Sequence, residues 1–389
     1  MKFRITKEGF ANVLGVAAGS VATKSSIEIL KGIFLRASDG KIEAVGYDCV
    51  KYVRAVATAS VSEAGSFVVD TKLSALIARL PEGTEVECTA SDGILTVCCE
   101  NGTYKMSVMS AEDYPELPEV EKDFSFTVSA RQLIDVLRTI EHAAQPYCPG
   151  MARPMLAAIK LEYNSNSKTF RGVALDGYRA SVAEIIVDSE SDVDFSAIVP
   201  SDTMRKLSKI IDKNAEVTIS CSGPRSGNHH VSFETQDVYV VSGVIMGEYL
   251  DYDKVFQIDP SIVVAVDKKA FIESCERVTL IACSKSGTPT SISLSFSKTG
   301  IKIVGRTALG GAEEFLDNIE YICAPADTNK EFVIGFNKQY LLDAVKVIND
   351  DTFRMKLEAP LKQAVIEPNE SQDDLKQKHL VLPVRLPKQ

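Results

Sequence analysis

Six times along the chain a short apolar run ends at a residue that can cap a helix, and a stripe with helical spacing follows. The runs are KFRI before Thr6, FVVD before Thr71, FTV before Ser129, AIVP before Ser201, VVAV before Asp267 and VIGF before Asn337. Side-chain oxygens of Thr, Ser, Asp and Asn accept hydrogen bonds from the free N–H groups of a first helical turn. Apolar residues then recur on one face, as at Leu133, Leu137 and Ile140, or at Leu341, Leu342 and Val345. This pattern predicts helices within 6–24, 71–80, 129–143, 201–213, 268–285 and 337–348. Alternating segments that read as strands come after each, for example GKIEAVGYDCVKYVRAVA (Gly40–Ala57) and AEVTISCS (Ala215–Ser222).

The capping positions fall 65, 58, 72, 66 and 70 residues apart. The repeating unit is therefore one strand, one helix and about three strands, used six times. Units also pair, because the second and fourth end alike, in SVMSAEDYPEL (Ser107–Leu117) and SGVIMGEYLDY (Ser242–Tyr252). The polar stretches EVEKD and QIDP follow these endings and read as linkers. The expected organisation is three similar α+β domains, 1–122, 123–259 and 260–389, each a doubled unit. Strands of one unit lack enough partners of their own, so pairing across units into larger sheets, with helices on one side, is expected.

Composition adds limits. A chain of 389 residues, 45% hydrophobic and 25% charged, is an ordinary globular protein with room for two or three cores. It has no apolar run near the roughly 18 residues of a membrane span. The opening MKFRITKEGF carries no export signal, so a cytoplasmic location is expected. Nine cysteines without a C-x-x-C read as buried reduced thiols, neither a disulfide framework nor a zinc site. His229-His230 lacks a third ligand nearby, and no metal is expected.

A net charge of −10 argues at face value against nucleic acid. Its distribution argues differently: the six helical segments hold 16 Lys or Arg against 8 Asp or Glu, leaving 27 and 45 for the rest. Helices sharing one surface would make that surface positive and the outside negative. Such a surface suits loose, sequence-independent phosphate contact, with no aromatic stacking pattern. The plain alternative is basic residues on solvated helix faces.

Catalytic signatures are missing. No phosphate loop, dinucleotide fingerprint, zinc-protease helix or nucleophile elbow occurs. The Gly-Gly of TALGGAEE (Thr307–Glu314) is not followed by a basic residue, and the acidic clusters Ser189–Asp194 and Gln372–Asp374 read as solvated linkers. One stretch stands out, GVALDGYRASV (Gly172–Val182), where Asp176, Gly177, Tyr178 and Arg179 interrupt an apolar run. Asp-Gly between strand-prone residues is a strong hairpin signal. A solvated turn, a carboxylate with catalytic work beside a guanidinium, and the wall of a binding site all fit.

From Met1 to Leu386 the chain resembles the bacterial sliding clamp family, the β subunit of DNA polymerase III. The resemblance lies in the opening MKF, EILKGIFLRASDGKIEAVGYD (Glu28–Asp48), RLPEG (Arg79–Gly83), AEDYPEL (Ala111–Leu117) and ARPML (Ala152–Leu156). It continues in VALDGYR (Val173–Arg179), IGFNKQYLLDAV (Ile334–Val345) and LPVRL (Leu382–Leu386). It implies a DNA clamp fold: three-domain crescents close head to tail into a homodimeric ring with helices lining the hole. Such a ring encircles double-stranded DNA and tethers the DNA polymerase III catalytic subunit. Its further implied partners are a clamp loader and other proteins with clamp-binding motifs. Neither catalysis, nor a cofactor, nor a membrane is implied.

Residue by residue, the resemblance implies a peptide-binding cleft of Leu156, Leu175, Gly177, Tyr178, Arg179, Leu250, Lys254, Val255 and Gln363. The end of the chain adds Val381, Leu382, Pro383, Val384, Arg385 and Leu386. For DNA it implies Lys24, Lys72 and the loop Gly150–Met155 with Arg153 and Pro154; for the dimer contact, Leu280 and Ile281 facing Tyr104 and Met106. The chain departs from the family at Leu175, Tyr178, Ala180 and Leu250, where threonine, histidine, leucine and proline are common. It also runs on through Pro387, Lys388 and Gln389, and the loop Pro368–His379 is long. The runner-up is a repeat-built peptide-binding scaffold that never encircles DNA, and a third reading is an enzyme built around Asp176 and Arg179.

Overall fold

A computed structural model describes residues 1–100, 102–189, 191–222, 229–282, 291–307, 310–325, 332–370 and 374–386. The tail Pro387–Gln389 and parts of the acidic clusters lie outside the described residues, as does part of the expected loop Pro368–His379, which is shorter than expected because Pro368 ends one strand and Lys376 begins the next. Seven α-helices occur among them: α1 Lys7–Ala18, α2 Lys72–Ile77, α3 Ala130–Ile140, α4 Ser201–Ile210, α5 Tyr252–Val255, α6 Lys268–Ile281 and α7 Lys338–Lys346. Six are those the pattern predicts. The four-residue α5 is additional.

The caps explain where these helices begin. Thr6 accepts from the N–H of Gly9 at 3.3 Å, Asp267 from Ala270 at 2.7 Å and Asn337 from Gln339 at 2.9 Å. Thr71 does not cap: its backbone is already helical, and Asp70 accepts from the Lys72 N–H at 2.8 Å instead. All six are shorter than the predicted segments. Gly19 closes α1, and α2 stops after six residues, ahead of Pro81, whose ring disfavours helix in the residue before it.

Each of the six predicted helices is preceded by its strand and followed by three more. After α1 these are Gly32–Ser38, Lys41–Tyr47 and Lys51–Thr58; after α3 they are Ala158–Asn164, Thr169–Leu175 and Arg179–Ile186. Only Ser60–Glu63 and Ile319–Cys323 stand outside this plan among the described strands. The strands form antiparallel sheets of thirteen, nine and four among the described residues.

By packing, the chain divides into two compact units. One comprises 1–131, 188–193 and 205–244, and the other 132–187, 194–204 and 245–389. The thirteen-stranded sheet lies in the first unit, and the other two sheets lie in the second.

Within each unit one seam joins strands far apart in sequence. Val238–Gly243 pairs with Lys51–Thr58, Val241 opposite Tyr52. Lys376–Val381 pairs with Arg179–Ile186 in the same way, Leu380 opposite Ala180. Both seams join the third strand after a first-half helix to the last strand of a second half.

Helices lie against these sheets through their apolar faces. In the first unit Phe10 of α1 meets Phe3 edge-on at 5.6 Å, and both are essentially buried. In the second, Phe271 of α6 meets Phe353 at 5.2 Å within a core that also takes Leu341, Leu342 and Val345 of α7. Each such side chain contributes about 1.5–3 kcal/mol by leaving water, so these faces fix the helices in place.

Candidate functional site

The Asp176–Arg179 stretch is a turn, and a heavily braced one. The buried Asp176 carboxylate accepts from the N–H groups of Tyr178 (2.9 Å) and Arg179 (3.0 Å) with Oδ1, and from Arg179 Nε with Oδ2 at 3.0 Å. Gly177 sits at φ +91°, a left-handed backbone that costs glycine nothing. Arg179 Nη1 then donates to Asp343 Oδ2 of α7 at 2.6 Å, and the guanidinium lies 4.4 Å over the Tyr340 ring. Tyr178, 60% exposed, stacks on the other part of this aromatic wall, 6.1 Å from Tyr340 and 26° off parallel. Asp176 holds Arg179 from one side and Asp343 holds it from the other. Turn and wall are one device.

Beneath the turn lies an apolar floor. Leu175, Ala180 and Leu380 are buried, and Leu156, Tyr249, Val255 and Phe256 pack against them. The Tyr249 hydroxyl donates toward the carbonyls of Val173 and Ala158 at 3.3 and 3.4 Å, which holds its ring in the wall. Gln363 Nε2 donates to the Val255 carbonyl at 3.3 Å, fixing the segment that follows α5.

The chain's end forms a further wall. Its last strand stops at Val381, and the Leu382 N–H donates to the Tyr178 carbonyl at 2.9 Å. Pro383 offers no N–H. The segment leaves its own nine-stranded sheet for the strand Phe332–Asn337 of the four-stranded one, where the Val384 N–H donates to the Gly335 carbonyl at 2.9 Å. A Cβ on Gly335 would lie 2.6 Å from Leu386 Cδ2 and 2.9 Å from the Val384 oxygen, so only glycine lets the segment lie this close. Leu382 and Leu386 remain 38% and 37% exposed, with Val384 half-buried and Arg385 exposed.

Under the same strands run two neutral histidines. Ser181 Oγ lies 3.1 Å from His142 Nε2 and 3.0 Å from His379 Nδ1, and His379 Nε2 lies 2.9 Å from Gln377 Oε1. Burial, reinforced by the Arg179 charge, pushes His142 down to about 3. Burial, with His142 adding to it, holds the fully buried His379 well below its usual range.

The remaining sequence-expected residues fall as follows. Leu250 is 56% exposed, and Lys254 is exposed and paired with Asp251 at 2.6 Å. Lys24 is exposed after α1, and Lys72 is exposed at the start of α2. Gly150 and Arg153 are exposed, Pro154 and Met155 half-buried, and Met155 Cε reaches toward Gly247. Tyr104 and Met106 lie on the strand Gly102–Ser110, exposed and half-buried. Leu280 and Ile281 are 78% and 61% exposed at the end of α6, not buried in a core.

Two expectations need correction. Cysteines are not mainly buried: of the eight described, Cys49, Cys98, Cys148 and Cys323 are exposed, and all eight are free thiols. Cys98 and Cys323 lie on strands, where alternate residues face water, while Cys49 and Cys148 lie in loops. The basic helix surface is also partly neutralised, since Arg277 pairs with Glu314 (2.7 Å) and Lys346 with Glu276 (2.9 Å). Among the described residues no cluster of His, Cys, Asp and Glu fits a metal ion, and no helix is long and apolar enough to cross a membrane.

Sequence reasoning missed Tyr340, Asp343, Tyr249 and Phe256. Tyr340 and Asp343 share a helix face at i, i+3, a detectable signal. Their partner Arg179 is 164 residues from Asp343, and nothing local announces that pairing.

The DNA polymerase III beta subunit N-terminal, central and C-terminal domain families match residues 1–118, 127–251 and 254–385. The beta sliding clamp of Streptomyces coelicolor is 25% identical over 390 residues, 99% of this chain and 100% of that protein. That of Bacillus subtilis is 24% identical, with the same shares covered. A crystal structure of the Pseudomonas aeruginosa sliding clamp bound to griselimycin superposes with a TM-score of 0.87 at 24% identity, covering 99% of this chain and 100% of that one. The Thermotoga maritima beta subunit gives 0.86 at 22%, with the same coverage. The three matched families follow one another along nearly the whole chain, which belongs to the DNA polymerase III beta subunit family, the bacterial beta sliding clamps.

Proposed function

We propose that the chain is a sliding clamp: two copies join head to tail, close around duplex DNA of any sequence, and tether the replicative polymerase without catalysing a reaction. One topological observation carries this. Both seams join the third strand after a first-half helix to the last strand of a second half. The plan predicts a third such pair, and its members are Gly310–Leu316 and Gly102–Ser110. Among the described residues Gly310–Leu316 pairs only with Gly300–Thr307, and the pairing of Gly102–Ser110 with Gly65–Asp70 stops at Val108. An edge left open at each end of a repeat is filled by a second copy, and a rotation that closes gives a ring. Leu280 and Ile281, exposed on the helix tied to Gly310–Leu316 by Arg277–Glu314, would then meet Tyr104 and Met106 of the other copy.

The division into domains 1–122, 123–259 and 260–389 belongs to this reading. So do duplex contacts through Lys24, Lys72 and the loop 150–155 with Arg153. The cleft of Leu156, Leu175, Tyr178, Arg179, Val255 and Val381–Leu386 would receive short peptides of the polymerase III catalytic subunit, the clamp loader and other replication proteins. An apolar floor with a few fixed polar groups suits an extended peptide. The setting is the cytoplasm, and no cofactor is required. Retention on circular duplex, with release when the circle is cut, tests the ring; a scaffold that never encircles DNA would show neither.

A further inference from the structure

Next to the cleft, on the nine-stranded sheet, lies a cavity of about 460 Å³ that the peptide reading does not use. Its wall is built on the same sheet face as the cleft floor. Lys376, Lys378 and Leu380 alternate along one strand, and Ala180, Val182 and Glu184 along its neighbour, so each set points to one side. Leu380 and Ala180 belong to the cleft floor, while Lys376, Lys378, Val182 and Glu184 line the cavity. Phe256 belongs to both.

The cavity carries unspent positive charge. Glu184 is held by Arg171 at 2.6 Å, and Glu367 by Lys356 at 2.5 Å. Asp253, 72% exposed, stands 3.8 Å from Arg171. Lys376 and Lys378 are exposed and have no ion-pair partner among the described residues. Arg354 is clamped by the Asn369 carbonyl and Oδ1 at 3.1 and 3.2 Å and stands 3.7 Å from Glu367, while its buried Nε has no hydrogen-bond acceptor among the described residues. The four cationic side chains of the lining outnumber its three carboxylates, in a chain of net charge −10.

We propose that this cavity receives an acidic segment of a protein partner whose apolar anchor occupies the adjoining cleft. The proposal rests on the cleft reading for the anchor, but the cavity's charge stands without it. Four strand residues separate Leu380 from Lys376, about 13 Å, a span that about four residues of extended peptide cover. Carboxylates placed there would meet Lys376, Lys378 and the Arg354 edge, and attraction across such a surface favours encounter and orientation.

The test uses labelled hexaglutamate and hexaglutamine at low ionic strength, with the full-length protein and fluorescence anisotropy. Hexaglutamate should bind and hexaglutamine should not. The double variant Lys376→Glu/Lys378→Glu should weaken hexaglutamate at least tenfold, and Lys376→Gln/Lys378→Gln should fall between, with unchanged melting in both. Tyr178→Ala, which alters only the cleft, should leave hexaglutamate affinity within twofold, so failure of the cleft and failure of the cavity are read separately. Equal affinity for wild type and the double-Glu variant overturns the proposal. So does tenfold loss in Tyr178→Ala, or pyrophosphate binding that hexaglutamate cannot displace, which would mark a small-anion site.

Discussion

Arg179 and Asp343, 164 residues apart, meet at 2.6 Å and tie the Asp176–Arg179 turn to α7. Both side chains are largely out of water, at 13% and 22% exposure. Asp343→Ala strands a charge-assisted donor and should cost about 1.5–3 kcal/mol. A double-mutant cycle with Arg179→Ala, followed by urea unfolding, should return a coupling above about 1 kcal/mol. A coupling near zero would mean that Asp176 alone holds the guanidinium.

The terminal segment depends on Gly335. Gly335→Val puts side-chain atoms where Leu386 and the Val384 carbonyl lie, and should displace Leu382–Leu386. Partner binding should then fall as far as it does on removing 382–389, while the dimer persists. Surface plasmon resonance with the polymerase III catalytic subunit reads the first, and light scattering the second. Undiminished binding in both variants would place the site elsewhere. Removing only 387–389 should preserve or slightly improve binding.

The pair His142 and His379 makes stability fall as pH drops. Both have folded pKa values below the unfolded value of about 6.5, so the unfolded chain takes up protons first. The stability they confer is full above pH about 6.5 and declines below it, until His142 titrates in the fold at about 3. Each neutral histidine adds a slope approaching about 1.4 kcal/mol per pH unit well below pH 6.5. Denaturant midpoints between pH 6.5 and 5.5, above the range of the carboxylates, should fall steadily, and His379→Gln should flatten that slope. An equal slope in the variant would mean that His379 already takes its proton in the folded state.

Leu280 and Ile281 are exposed, so replacing them by Asp and Lys should leave each protomer folded. The same charges buried in an apolar contact between copies would cost several kcal/mol. The double variant should therefore sediment as a monomer with an unchanged melting temperature. A persisting dimer removes these residues from the contact.

Much of this was legible in the chain because a repeat states its plan six times. The strand, cap and apolar stripe around Asp267 or Asn337 need only local chemistry, and the helices begin there. Thr71 shows the limit of such reasoning: its residue type suits a cap, but its backbone is already helical, and Asp70 beside it takes the Lys72 N–H. The Asp176–Arg179 turn was also visible, with its role left open among three readings. Its brace on Tyr340 and Asp343, the carbonyl of Gly335 under Val384, and the shared wall at Phe256 were not. Those depend on which strands meet at the seam between Arg179–Ile186 and Lys376–Val381, a pairing across nearly two hundred residues. Only tertiary structure supplies it.

The ring itself is tested most directly on DNA. The protein is loaded onto a nicked circular duplex with a clamp loader, isolated, and challenged with salt before and after a single cut in the circle. A topological link does not depend on the counterion release that governs ordinary phosphate binding, so the closed circle should retain protein at salt that strips it from short linear duplex. Cutting the circle should release it, and the Leu280→Asp/Ile281→Lys variant should never be retained. Retention that survives linearisation, or loss from closed circles as steep with salt as from linear duplex while the dimer stays intact, would contradict a clamp that encircles its DNA.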